Sequence, residues 1–228
     1  MSRILLTTLN ARYSHTSFGL RCLLANLGDL RASTELVEFT INDQINDVLA
    51  EIVRRQPTIV GIGVYIWNVE PVTRLLADLR RVLPDAWLVL GGPEVSYETD
   101  QQAVTALADY VITGWGDVSF PKLARDILDG RPPAGKVITG EQLPLSRLAL
   151  PYTQYTDEDI ARRFIYVEAS RGCPFNSKNT VREPSGCASL VVMNLMISVL
   201  PSSIETVISS PFFMPKKNCG VGSASKSP

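Results

Sequence analysis

The feature of this sequence that most constrains its fold is one pattern repeated five times. In each repeat, a short run of aliphatic and β-branched residues precedes a segment whose apolar residues recur every three or four positions. Strands that alternate with helices in this way build a parallel sheet with helices on both faces. The repeats therefore predict an α/β, doubly wound, Rossmann-like or flavodoxin-like domain with a five-stranded parallel sheet over residues 1–133. The predicted strands cover residues 4–9, 35–39, 59–66, 87–90 and 110–112.

Apolar stripes and stop signals mark the predicted helices. Asn42 and Asn68 stand where helix N-caps are expected, and Pro57 and Pro84 follow the ends of helical segments. Cys22 lies inside a helical pattern and is expected to be buried. The last helix of the series ends before residues 129–133, whose Gly and Pro residues mark a domain boundary. The two clearest stripes are Ile45, Val48, Leu49, Ile52 and Val53, and Val72, Leu75, Leu76 and Leu79.

The chain changes character after this boundary. Residues 134–163 are interpreted as a linker with a short helix opened by Thr156, and residues 164–169 as a strand that leads into Cys173. Residues 176–228 hold 11 of the 19 serines but only two acidic residues, Glu183 and Glu205. Such a serine-rich, acid-poor tail has no clear periodicity and is expected to be poorly ordered.

Charge and hydropathy exclude several partner classes. The formal net charge is -1, which does not favour nucleic acid. The apolar run at residues 190–200 is about half of what a bilayer span requires, so no membrane association is expected. The apolar run at residues 4–9 is too short for the core of a signal peptide. We therefore expect a cytoplasmic protein.

The loops after the predicted strands should line a binding crevice, because in such sheets ligands lie outside the carboxyl ends of the strands. The loop after the first strand carries Asn10, Arg12, Tyr13 and His15, the only histidine in the sequence. It is a candidate ligand-binding loop. The alternative is a solvated loop in which Ser17 caps the next helix.

The loop after the third strand places Tyr65, Ile66 and Trp67 at the mouth of the crevice. Two aromatic rings and an aliphatic side chain suit a flat, largely apolar ligand. The alternative is that the rings only cover the end of the sheet.

Glycine pairs follow the fourth and fifth strands. Gly91 and Gly92 precede Pro93 and Glu94, and their small size would let a ligand approach the backbone closely. Gly114 and Gly116 repeat this arrangement after the fifth strand. These six positions complete the predicted binding surface: Gly91, Gly92, Pro93, Glu94, Gly114 and Gly116.

Three common functions of this fold lack their residues. A phosphate-accepting receiver domain needs acidic residues after the first strand, but the first acidic residue of this chain is Asp29. A dinucleotide site needs G-x-G-x-x-G after that strand, and a hydrolase of the α/β type needs G-x-S-x-G. Neither motif is present at these places.

Three segments together resemble the cobalamin-binding domain that precedes the barrel in cobalamin-dependent radical S-adenosylmethionine enzymes. They are residues 10–13 (NARY), 64–68 (VYIWN) and 90–95 (LGGPEV), and the resemblance covers residues 1–175. It implies that a corrinoid lies on the loops around Tyr65, Gly91, Gly92 and Gly114.

The match to the wider cobalamin-binding superfamily is partial. That superfamily carries D-x-H-x-x-G after the first strand, S-x-L after the third and G-G after the fourth. Only the glycine pair is present literally, with Val64, Tyr65 and Ile66 in the S-x-L place. His15 precedes Gly19 by one residue too many, so the resemblance leaves it a candidate cobalt ligand with altered spacing.

The second domain of such enzymes is a partial barrel that binds a [4Fe-4S] cluster through C-x-x-x-C-x-x-C. Residues 171–175 resemble the start of that motif and make Cys173 the candidate cluster ligand. The next two cysteines would stand at Ser177 and Thr180, and a hydroxyl is a poor substitute for a cluster thiolate. We therefore expect a fragment of the radical S-adenosylmethionine barrel at residues 164–175, with cluster and S-adenosylmethionine belonging to the intact family.

Two hypotheses explain residues 176–228: a frameshift or truncation after Phe175, or a divergent extension. The leading interpretation is a cobalamin-binding module of a cobalamin-dependent radical S-adenosylmethionine enzyme that is not catalytic as this chain. The alternative is a noncatalytic flavodoxin-like module that binds a small molecule or a partner protein.

Overall fold

Six parallel strands form one sheet in the computed structural model, which describes residues 3–168 of the 228. Their order across the sheet is β2-β1-β3-β4-β5-β6, so the direction of winding reverses between β1 and β3. This is a flavodoxin-like order, and it confirms the predicted doubly wound parallel architecture. The strands are β1 (Ile4–Asn10), β2 (Thr34–Thr40), β3 (Ile59–Gly63), β4 (Trp87–Gly91), β5 (Tyr110–Thr113) and β6 (Val137–Thr139).

The predicted number of five strands is wrong because of β6. This strand pairs in parallel with β5, with Val137 opposite Val111. It has three residues and lies at the edge of the sheet, where Val137 is 52% exposed. A strand this short and this exposed carries no buried apolar run, so the sequence pattern placed it in a linker.

Helices cover both faces of the sheet. The helices α2 and α3 pack on one face and α1 and α5 on the other, and each face has its own core of buried aliphatic residues. The predicted stripe of α3 is fully buried, and Cys22 is buried within α1 as expected. The helices are α1 (Phe18–Ala25), α2 (Ile45–Arg55), α3 (Val69–Val82), α4 (Ala103–Ala106), α5 (Ser119–Leu128) and α6 (Asp157–Arg162), and four 3₁₀ turns cover Gly28–Ser33, Glu94–Ser96, Leu145–Arg147 and Pro151–Gln154.

Two local predictions are wrong. The N-cap of α2 is Gln44 rather than Asn42, because Asp43 first closes a turn by accepting a hydrogen bond from the Thr40 amide at 2.7 Å. Of the predicted strand at residues 164–169, the described residues 164–168 contain one parallel bridge, between Phe164 and His15. Residues 165–168 have no regular structure.

Other predictions about the carboxyl-terminal part have different outcomes. Thr156 opens α6 with a complete capping box, as predicted. Cys173, the rest of the predicted barrel fragment and the serine-rich residues 176–228 lie outside the described residues. Within residues 3–168, no helix combines the length and the apolar character that a membrane span would need.

Candidate functional site

The ends of four strands meet at one edge of the sheet. Gly63, the last residue of β3, pairs with Thr8 on one side and with Gly91 on the other. The Val64 amide then donates to the Gly91 carbonyl at 2.8 Å. The loops after β1, β3, β4 and β5 therefore lie side by side at the carboxyl edge, next to the point where the strand order reverses.

Asn68 joins the ends of β1 and β3. It is the N-cap of α3, as predicted, but its side chain caps no helical amide. Its oxygen accepts from the Tyr65 amide at 2.8 Å, and its nitrogen donates to the carbonyls of Leu9 and Gly63 at 3.0 and 3.1 Å. The side chain is fully buried, so these hydrogen bonds fix the shape of the loop after β3. The sequence analysis missed this role.

The three apolar residues of that loop divide into two environments. The rings of Tyr65 and Trp67 stack with centroids 4.7 Å apart, and the Trp67 indole donates to the Leu9 carbonyl at 3.3 Å. Ile66 is 72% exposed and Trp67 41% exposed. Tyr65 instead reaches toward Gly19 at the start of α1, where burial raises the pKa of its phenol. Ile66 and Trp67 form an exposed apolar rim at this edge, while Tyr65 partly covers the end of the sheet.

The glycines at this edge have different surroundings. Gly92 has φ +116°, and a Cβ built on it would lie 2.4 Å from the Val64 carbonyl oxygen, so the neighbouring backbone requires glycine here. Gly116 lies against Leu23 of α1. A Cβ on Gly91 would approach nothing closer than 3.8 Å, and one on Gly114 would have no atom within 4 Å. Of these four glycines, only Gly91 and Gly114 have space beside their backbone that no neighbouring atom fills.

A serine that the sequence analysis did not single out connects the two glycine loops. Pro93 precedes the 3₁₀ turn Glu94–Ser96, as a residue that starts a helical turn. The Ser96 hydroxyl donates to the Gly92 carbonyl at 2.7 Å and accepts from the Gly114 amide at 3.0 Å. This hydrogen-bonded pair holds the loops after β4 and β5 in register. We call Ile66, Trp67, Gly91 and Gly114 the open side of the edge.

The loop after β1, residues 11–17, is closed rather than open. Asn10 is buried, and its amide nitrogen donates to the His15 carbonyl and to the Glu38 carboxylate, each at 3.0 Å. Arg12 and Tyr13 point outward, and Tyr13 is 54% exposed. The Ser17 amide donates to Glu38 as well.

His15 is covered by the carboxyl-terminal part of the described chain. Its Nδ1 shares a hydrogen bond with the Tyr166 hydroxyl, and the two rings stack with centroids 6.0 Å apart. Phe164 contacts the imidazole edge-on at 5.5 Å. Burial lowers the pKa of His15, and the charges of Arg12 and Arg163 lower it further. Both effects favour the neutral form of the imidazole.

Four charged side chains are buried beside this loop, and we call them the charge network. Arg21 bridges Glu38 and Asp159, each at 2.9 Å, and Arg163 bridges the same carboxylates at 2.8 and 3.0 Å. Their side chains are 3–11% exposed. Burial opposes ionisation, yet the hydrogen bonds and charge of Arg21 hold the pKa of Glu38 below its usual value. The network and residues 11–17 together form the closed side of the edge.

The closed side joins parts of the chain that are distant in sequence. Glu38 lies on β2, Arg21 on α1 and Asp159 on α6. No local pattern could reveal this pairing, because each residue by itself resembles an ordinary surface charge. In the part of the chain that the structure describes, no cluster of three or more His, Cys, Asp or Glu residues could hold a metal ion.

Comparison with known families identifies one family. The family model of the B12 binding domain matches residues 4–124, more than half of the chain. No curated protein matches.

Among solved structures, the cobalamin-dependent S-adenosylmethionine radical enzyme OxsB matches with a TM-score of 0.56 at 14% identity, over 75% of this chain and 26% of OxsB. A cobalamin-binding protein from Desulfitobacterium hafniense DCB-2 matches with a TM-score of 0.39 at 17% identity, over 54% of this chain and 56% of that protein. The chain thus spans about half the length of one structural relative and about a quarter of the other. At these identities the OxsB match shows a shared fold, and the lower-scoring match adds no further argument.

Proposed function

The chain belongs to the B12-binding domain family, and from that premise we propose that it holds a corrinoid across the ends of β1, β3, β4 and β5. The observation that carries the proposal is the open side of the carboxyl edge. There an exposed apolar rim lies next to bare glycine backbone, at the switch point of the sheet. These are the features that a broad and mostly apolar ligand requires.

The residues of the open side fit a corrin ring in shape and chemistry. Ile66 and Trp67 offer aliphatic and aromatic surface to a flat ligand. Gly91 and Gly114 have space where any other residue would place a Cβ, so a ligand can approach their backbone. Ser96 and Asn68 contribute by fixing the loops on which these residues lie.

A bound corrinoid would supply a cobalt ion that can carry a methyl group. The protein binds and orients the ring and limits the access of water to it. The Trp67 indole donates to the Leu9 carbonyl, and the hydrogen bonds of Asn68 fix the loop after β3. These contacts hold the apolar rim in one conformation, which lowers the entropic cost of binding.

The test is a titration of the full chain with hydroxocobalamin, followed by gel filtration and visible spectroscopy. We expect co-elution and a shifted spectrum. Ile66→Asp should weaken binding about tenfold or more, because burying an isoleucine side chain contributes about 1.5–3 kcal/mol. No retained corrinoid at high micromolar concentration would overturn the proposal.

Val82→Asp is the matched control for this titration. Val82 is 48% exposed and lies beside residues 56–58, which precede β3 at the opposite edge of the sheet. The same chemical change there should leave the affinity unchanged. Equal losses in both variants would indicate a general effect of charge and would count against binding at the open side.

The finer proposal is that this chain is the cobalamin-binding module of a cobalamin-dependent radical S-adenosylmethionine enzyme. Its supports are the residues 171–175 that resemble the start of a cluster motif, and the fold shared with OxsB. In this proposal Cys173 is the first cluster thiolate, while Ser177 and Thr180 replace the other two. The chain by itself would then perform no radical chemistry.

Two measurements test the finer proposal. After anaerobic reconstitution, iron and sulfide should be well below one cluster per chain, because one thiolate does not hold a stable cubane. A stoichiometric cluster would contradict the expected loss of the motif. Sequencing the parent locus should reveal the two missing cysteines in another reading frame, and their absence would refute the frameshift.

A further inference from the structure

Arg163 lies outside the family-matched residues 4–124, and its side chain binds backbone carbonyls of the loop after β1. The Arg163 Nε donates to the Tyr13 carbonyl at 2.9 Å, and its terminal nitrogens reach the His15 carbonyl and the carboxylates of Glu38 and Asp159. Its side chain is only 11% exposed. A planar guanidinium can make all these contacts at once, and a lysine ammonium cannot.

The short helix before Arg163 fixes where this side chain starts. The Thr156 hydroxyl accepts from the Asp159 amide at 3.1 Å, and the Asp159 carboxylate accepts from the Thr156 amide at 3.1 Å. This capping box anchors the start of α6, and Arg163 follows as its C-cap. The direction of the arginine is therefore set by backbone geometry as well as by its ion pairs.

The residues after Arg163 bind the same loop. The Phe164 amide donates to the Ser14 carbonyl at 2.7 Å, and the Thr16 hydroxyl donates to the Phe164 carbonyl at 2.8 Å. Tyr166 adds the hydrogen bond to His15. We call residues 156–166 the clasp, since they form hydrogen bonds with each of residues 13–16.

The loop makes few hydrogen bonds of its own. Within it, the His15 amide donates to the Arg12 carbonyl at 3.1 Å, and Asn10 holds the His15 carbonyl from below. A loop so sparsely bonded would sample several conformations without the clasp. When only a fraction of molecules has the binding-competent loop, the apparent affinity falls by that fraction.

We propose that Arg163 is a positioning residue for the corrinoid site. It fixes the loop after β1, which borders the open side where the Trp67 indole donates to the Leu9 carbonyl, and it does not itself contact the ligand. This inference rests on the proposed function, because it assigns a further part of the chain to the same site. It places a determinant of corrinoid affinity beyond the residues that the family model matches.

The experiment compares Arg163→Lys and Arg163→Ala with Arg162→Ala in the full chain. Arg162 is the matched control, since it precedes Arg163 directly, is 70% exposed and pairs only distantly with Glu158, at 4.0 Å. Both Arg163 variants should bind hydroxocobalamin about tenfold or more weakly, and amide hydrogen exchange at residues 11–17 should be faster than in the wild type. Arg162→Ala should match the wild type in both measurements. Guanidinium ions at low millimolar concentration should restore part of the affinity of Arg163→Ala.

The outcomes separate this inference from the proposed function. If the wild type binds and Arg163→Lys, with an unchanged melting temperature, binds equally well, the inference is overturned and the proposed function stands. If the wild type does not bind, the proposed function fails and takes the inference with it. If the Arg163 variants do not fold, exchange in the wild type decides: hydroxocobalamin should slow exchange at residues 11–17 and 156–166, and unchanged rates there would overturn the inference.

Discussion

The two sides of the carboxyl edge differ in residue type and in exposure. The closed side buries two arginines and two carboxylates and leaves little of their surface exposed. The open side has glycine backbone and an isoleucine that is 72% exposed. The difference indicates that buried charge pairs fix the position of one loop, while the lack of side chains leaves room for a ligand beside it.

Glu38→Gln should have the largest effect on the closed side. The neutral amide would leave Arg21 and Arg163 buried with Asp159 as the only carboxylate between them. Removing one partner of a buried ion pair costs about 3–5 kcal/mol, because it leaves uncompensated charge away from water. The free energy of unfolding, measured with urea, should fall by about that amount.

Glu70→Gln provides the control for this loss. Glu70 also pairs with an arginine, Arg74, but its side chain is 76% exposed, so the pair is screened by water. The urea midpoint should hardly change. If Glu38→Gln were equally harmless, the closed side would not depend on its buried charges.

Two adjacent glycines after β4 should respond differently to the same substitution. Gly92→Ala should destabilise the domain by about 2–4 kcal/mol, since its Cβ would collide with the Val64 carbonyl at a backbone conformation that disfavours alanine. Gly91→Ala should leave stability nearly unchanged, because the nearest atom to its Cβ is 3.8 Å away. Thermal unfolding of the two variants measures this difference.

The same two variants also distinguish an effect on stability from an effect on ligand affinity. If Gly91 faces the ligand, Gly91→Ala should weaken hydroxocobalamin binding in a domain of normal stability. A Gly91 variant that is stable and binds normally would remove this residue from the proposed surface. A Gly92 variant of wild-type stability would show that the Val64 loop can move.

The sequence predicted the features of this fold that depend on neighbouring residues. The stripe of α3 and the capping box at Thr156 both follow from residues within one or two turns of each other. The charge network was not predictable, because Arg21 and Arg163 are far apart in sequence and no local pattern indicates that they share two carboxylates. The role of Gly92 was misjudged for a related reason: its constraint comes from the backbone of Val64, in the loop after β3.

Acid should weaken the closed side selectively. Burial opposes ionisation of Glu38 and Asp159, yet hydrogen bonds hold their pKa values below the usual 4.5 and 3.8. The lowering comes mainly from Arg21 for Glu38, and from the Thr156 amide and then Arg21 for Asp159. Carboxylates with lowered pKa values stabilise the fold fully above the unfolded values, and this stabilisation is lost as the pH falls through the folded values. Urea midpoints measured from pH 7 down to pH 3 should therefore decline, and Glu38→Gln should show a shallower decline. Parallel curves for the two proteins would contradict the assignment.

The smallest expected effect tests how His15 is enclosed. Because the sequence has one histidine, its NMR titration is unambiguous, and burial and the nearby arginines should place its pKa below 6.5. Arg12→Ala removes an exposed charge without touching the clasp, so the pKa should rise only part of the way toward 6.5. Burial is the larger cause, and Phe164 and Tyr166 supply it. If the variant titrated at 6.5, charge alone would account for the shift, and the clasp would not close over the histidine in solution.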